Sequence, residues 1–139
     1  MYLKEESLYV SGLFHMASSC SKKIGFSYAT ATCFKKKNFI NSFQNFYEIK
    51  EEIKLKKINV SLDKFLTRIY GKNKGIIDGL THWIRFDFGN TLNIYSVNKN
   101  IIDLLSGENK GLSPFYFCED VFFIECEKIV ICMLIGNDE

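Results

Sequence analysis

Residues 129–135 read Ile-Val-Ile-Cys-Met-Leu-Ile, seven consecutive apolar side chains and the longest such run in the chain. A membrane span needs roughly 18 or more, so this run is not one. An extended strand sends alternate side chains to opposite faces, so a strand with this sequence is apolar on both and needs a layer of cover on each. It therefore belongs inside a sheet. Phe115 to Glu125, joined to it through Glu127-Lys128, reads as the neighbouring strand of an antiparallel pair.

The remaining elements follow from periodicity. Asn38 to Lys57 predicts a helix, because Phe39, Ile40, Phe43, Phe46, Tyr47 and Ile53 recur at helical spacing and Lys54, Lys56 and Lys57 suit its C-terminal end. Ser61 is an N-cap for a second helix with Leu62, Phe65, Leu66, Ile69 and Tyr70 on one face, ended by Gly71 and Gly75. From His82 the pattern is period two. Ile84, Phe86 and Phe88 alternate with Trp83, Arg85 and Asp87, and Leu92 to Val97 returns after Gly89-Asn90, which predicts a hairpin. Leu8, Val10 and Leu13-Phe14 suggest an N-terminal strand or hairpin, and Gly25 to Phe34 a further extended piece. Asn100 to Leu105 reads as a short helix closed by Gly107, and Gly111 to Pro114 as a loop.

With 139 residues, 47% hydrophobic content and a single proline, the chain has room for one domain over 1–139 with a core of its own. The expected class is α+β, with helices in the N-terminal half packed on a mostly antiparallel sheet from the C-terminal half.

A formal net charge of +2 conceals two unlike halves: residues 1–75 carry 14 Lys/Arg against 6 Asp/Glu, and residues 76–139 carry 4 against 10. Each half can steer a partner of opposite sign. The five cysteines, Cys20, Cys33, Cys118, Cys126 and Cys132, include no CxxC pair and no His spaced for zinc, so they read as reduced thiols. Ala17-Ser18-Ser19-Cys20 faintly resembles an export cleavage site, but Glu5 and Glu6 occupy the positions basic residues would take, and His15 interrupts the apolar stretch. A cytoplasmic location is the expectation.

No nucleophile–base pair, GxSxG, HExxH, P-loop or GxGxxG is present, so no catalytic residue, metal ligand, cofactor or small-molecule substrate is expected. His15 and His82 are the two side chains an acid–base enzyme would have to use. The lysine-rich half, with Lys35-Lys36-Lys37 and Lys56-Lys57 among Phe and Tyr, offers a nucleic-acid-associated regulatory module as the alternative. Only Arg68 and Arg85 are arginine, the residue that reads bases and phosphates in bidentate fashion, and this makes nucleic acid the lesser reading. The acidic half supplies the candidate partner surface. If Phe122 and Ile124 face inward, Phe123, Glu125 and Glu127 share an outer face, with Glu119, Asp120, Asp138 and Glu139 adding charge for a basic protein.

Three stretches carry a resemblance: His82-Trp83-Ile84-Arg85-Phe86-Asp87-Phe88; Asn100-Ile101-Ile102-Asp103-Leu104-Leu105; and Phe117-Cys118-Glu119-Asp120-Val121-Phe122-Phe123-Ile124-Glu125 with Ile135-Gly136-Asn137-Asp138-Glu139. Residues 80–139 resemble the small immunity proteins of bacterial polymorphic and contact-dependent growth-inhibition toxin systems. The resemblance implies a cytoplasmic, non-enzymatic inhibitor that binds a cognate toxin domain, usually a nuclease, in a stoichiometric complex. The chain departs from that pattern in its net charge of +2, since inhibitors of basic nucleases tend to be acidic overall. Only the C-terminal half fits that logic, and no binding residue carries over from the resemblance.

Overall fold

The structure, a computed structural model, describes residues 1–21, 28–105 and 117–137, with the side chains of 117–119 and 137 left aside. Along the chain the elements are α1 (Lys4–Cys20), β1 (Tyr28–Phe34), α2 (Phe39–Tyr47), β2 (Leu55–Ile58), α3 (Leu62–Tyr70), α4 (Lys74–Phe88), β3 (Thr91–Val97), α5 (Lys99–Leu104), β4 (Phe117–Cys126) and β5 (Val130–Asn137). The class is α+β. All strands pair antiparallel in one sheet of order β1-β5-β4-β3-β2. Its three central strands come from the C-terminal half of the chain and its two edges from the N-terminal half.

β5 is internal and covered on both faces, as its composition demands. Ile131, Met133 and Ile135 pack with Val10 and Phe14 of α1, Phe65 and Leu66 of α3, and Ile77, Leu80 and Ile84 of α4. Val130, Cys132 and Leu134 pack on the opposite side with Phe43 and Tyr47 of α2 and Ile101 and Leu105 at α5. Burying a large apolar side chain contributes about 1.5–3 kcal/mol, so a strand apolar on both faces justifies two helical layers.

Helices α3 and α5 lie where the sequence places them, and Gly71 ends α3 at φ 83°. The helix predicted over Asn38 to Lys57 stops at Tyr47, where Glu48 turns left-handed at φ 56°. Beyond it Lys56 and Lys57 lie in edge strand β2, where exposed lysines discourage pairing with another chain.

Two expectations are overturned. The N-terminal strand is helix α1, whose buried face is Ser7, Val10, Phe14, Ala17 and Ser18. Two of those five side chains are hydroxyls, because the face meets the backbone edge of β1 and not only an apolar layer, and the apolar period is diluted accordingly. The hairpin predicted from His82 is helix α4 followed by β3. Ile77, Leu80, Ile84 and Phe88 form its buried row at three- and four-residue spacing, while the apparent alternation comes from Phe86, which stands between Ile84 and Phe88 in sequence but faces solvent, as Trp83 does. Asn73 Oδ1 accepts the Ile76 N–H at 3.3 Å to open α4, and Gly89 at φ 85° closes it. Gly25 to Ser27, Gly107, Gly111 to Pro114 and Phe115-Tyr116 lie outside the described residues.

A candidate protein-binding surface on α1 and α4

The acidic strand surface expected from the sequence does not assemble in that form. Phe123 is fully buried, with its ring 5.0 Å from that of Phe43 and 5.4 Å from that of Phe39 in α2. It cannot be an exposed anchor, because β4 is an inner strand with helices over both faces: Ile124 faces α1, α3 and α4, and Val121 and Phe123 face α2 and α5. Glu125 is half-buried and accepts a hydrogen bond from Asn93 Nδ2 at 2.8 Å. Burial, then the nearby Glu125 carboxylate, raises the Tyr95 phenol pKa. Glu127 is exposed, yet its Oε2 accepts the Asn90 N–H at 2.9 Å and so fastens the β4–β5 turn to the end of α4. Asp120 is exposed beside a register shift in β4. The side chain of Glu119, and Asp138 and Glu139 entirely, lie outside the described residues.

The two histidines stand on the surfaces of different helices. His15 stacks on Tyr28 at 5.5 Å, and His82 lies beside Trp83 and Phe86. Among the described residues no group of His, Cys, Asp and Glu has the arrangement of a metal site. Cys33, Cys126 and Cys132 are buried, and burial pushes the Cys126 thiol up to about 11. Such thiols are packing groups and poor nucleophiles at neutral pH.

A different surface stands out. Of the outward-facing side chains on α1 and α4, Leu8 is 64% exposed, Met16 67%, Trp83 46% and Phe86 70%. The Trp83 and Phe86 rings lie 5.9 Å apart at 81°, so they support one another without being covered. Large aromatics and methionine gathered in solvent on a small domain mark an interaction site far more often than isolated exposed residues do.

Between the two helices runs a groove. One part, of about 240 Å³, is apolar and lined by Leu13, Met16, Ile76, Gly79, Leu80 and Trp83 among others. Trp83 is shared with a second part of about 470 Å³, lined by Glu5, Glu6, Tyr9, Asp87 and Phe88. Met16 faces Gly79 at one end and Glu5 faces Asp87 at the other, so the helices run antiparallel along it. Tyr9 ties them together by donating its hydroxyl to Asp87 Oδ2. Burial, then the Asp87 carboxylate, pushes the Tyr9 phenol up to about 12.

A second cleft, of about 630 Å³, lies between β2, the start of α3 and β3, with Lys57, Lys64 and Arg85 on its walls. Asp63 already supplies a negative group at the start of α3, its carboxyl held below the usual range first by the Ser61 hydroxyl. This cleft is a concave part of the lysine-rich surface.

Sequence reasoning missed the α1–α4 surface because it read 82–88 as a strand, on which Phe86 belongs to the covered face. Once 74–88 is helical, Trp83 and Phe86 fall off the row formed by Ile77, Leu80, Ile84 and Phe88, and their exposure follows. No family model, no curated protein and no solved structure matches the chain significantly.

Proposed function

We propose that this chain is a non-enzymatic protein-binding module whose partner sits on the α1–α4 face, and that it acts as an immunity protein, neutralising a toxin domain by forming a stoichiometric complex. The observation that carries the reading is the solvent-exposed Trp83–Phe86 pair, with exposed Met16 lining the groove beside Trp83. Tryptophan and other aromatics in a shallow groove are the residues that dominate binding energy at protein interfaces. Glu5, Glu6 and Asp87 at one end of the groove favour a partner that is basic there, as a nuclease domain is. The resemblance over residues 80–139 supports the finer statement.

Co-expression with the toxin domain encoded beside its gene tests this. Phe86→Asp and Met16→Asp, both at exposed positions, should abolish protection from growth arrest and lower affinity at least a hundredfold while the thermal midpoint is retained. Full protection by both variants would discard the reading.

A second reading, a nucleic-acid-associated module, is favoured by the cleft holding Lys57, Lys64 and Arg85. It requires salt-sensitive binding of single- or double-stranded oligonucleotides that Lys57→Glu with Lys64→Glu removes. Absence of binding at low salt rejects it.

A further inference from the structure

The groove between α1 and α4 is polarised along its length. Leu13, Met16, Ile76 and Leu80 line one end, and Glu5, Glu6 and Asp87 the other. None of these three carboxylates has a salt-bridge partner among the described residues. Glu5 and Glu6 lie in the first turn of α1, where the positive end of the helix dipole accounts for them. Asp87 lies in the last turn of α4, where the dipole disfavours a carboxylate. The Tyr9 hydroxyl holds it against the N-terminal turns of α1, so the negative end of the groove is maintained against the local preference of its own helix.

The floor points to the shape of the occupant. Gly12 lies in the interior of α1 and Gly79 in that of α4, and a Cβ built on either meets nothing within 4 Å. Glycine inside a helix costs about 1 kcal/mol relative to alanine, and no contact within the chain requires it at these positions. The missing side chain of Gly79 lowers the helix surface beside Met16 and Trp83. Every backbone group inside α1 and α4 is engaged in its own helix, so no strand can add here. What fits between two antiparallel helices is the side-chain ridge of a third.

Resting on the reading of this face as the partner surface, we infer that it receives an amphipathic helix of the partner, of about four turns over about 20 Å, whose apolar ridge lies over Met16, Gly79 and Trp83 and whose Lys or Arg residues meet Glu5, Glu6 and Asp87. The partner is thus selected by polarity as well as by hydrophobicity, because a helix docked in the reverse sense leaves its cations over the apolar end and the three carboxylates desolvated without a cation.

Trp83 is the only tryptophan in the sequence and sits at the junction of the two ends, so its emission reports occupancy. Two synthetic helical peptides with the same Leu/Phe ridge, one carrying Lys/Arg at one end and the other Glu/Asp at that end, are titrated into the full chain. The cationic peptide should shift Trp83 emission to the blue and bind at least tenfold more tightly than the anionic one. That difference should shrink at high salt and invert in Glu5→Lys with Glu6→Lys. Asp87→Asn, which leaves α1 untouched, should reduce the difference on its own, so the test survives if the double variant folds poorly. Equal affinity for both peptides, or binding of neither, overturns the inference, as does self-association of the chain through this face that Phe86→Asp abolishes. If Phe86→Asp loses protection while the two peptides bind alike, the partner surface stands and its polarity is wrong. If Phe86→Asp still protects, the functional reading itself has failed.

Discussion

The hydroxyl of Ser7 in α1 accepts the backbone N–H of Cys33 in β1 at 2.7 Å while donating to the Leu3 carbonyl at 2.6 Å. Ser11 does the same for Ala31, accepting its N–H at 3.0 Å and donating to its carbonyl at 2.8 Å, and Ser18 accepts the Ala29 N–H at 3.3 Å. Ser7, Ser11 and Ser18 share one helix face, and Ala29, Ala31 and Cys33 are alternate residues of the outermost strand. A row of helix hydroxyls thus closes a sheet edge that would otherwise be open to another chain.

Ser7→Ala should orphan the buried Cys33 N–H and destabilise the fold by about 1–3 kcal/mol. Ser11→Ala, which strands two groups of Ala31, should do at least as much. Urea unfolding measures both. A loss under about 0.5 kcal/mol for either would show that water replaces the hydroxyl and that the edge is not dry.

Gly89 closes α4 at φ 85° and ψ −172°, a region essentially restricted to glycine, and a Cβ there would clash with Glu127 Oε2. Gly89→Ala is expected to cost about 1–3 kcal/mol from backbone strain, with the contact adding to it. Combining it with Glu127→Ala should recover only the contact share. Full recovery in the double variant, followed by chemical denaturation, would place the whole cost in the clash.

Gly79→Ala has the opposite expectation. With open space where the methyl group would go, the change should stabilise α4 by about 0.5–1 kcal/mol and raise the thermal midpoint. The same variant should bind the cognate partner more weakly. A variant both more stable and fully competent to bind would show that the groove floor is not used.

Stability should fall at alkaline pH, and the sign follows from the thiols and phenols. Burial raises the Cys126 thiol from 9.0 to about 11, and Tyr9 rises from 10.0 to about 12 through burial and Asp87. In the unfolded chain both groups lose their protons at lower pH than in the folded one, so their contribution is complete below pH 9 and is lost as pH rises through about 11 and 12. Cys126→Ala should flatten the decline between pH 9 and 11, by up to about 1.4 kcal/mol per pH unit, in denaturation series at fixed ionic strength. An unchanged slope would remove Cys126 as a cause.

The local order of the amino acids determined the parts of this protein whose burial partner is apolar. Ile129 to Ile135 had to be an inner strand because nothing else covers two apolar faces, and Leu62 to Tyr70 had to be a helix because its apolar residues share one side. Periodicity counts apolar side chains and assumes that they are the ones that turn inward. That assumption fails at α1, where serines turn inward to meet a strand edge, and at α4, where Trp83 and Phe86 turn outward. It fails again at Phe123, placed outside by alternation but buried because a second helical layer lies over that face. Which apolar groups are covered depends on what the rest of the chain brings beside them, so only the tertiary structure moved the candidate surface from the acidic strands to the groove between α1 and α4.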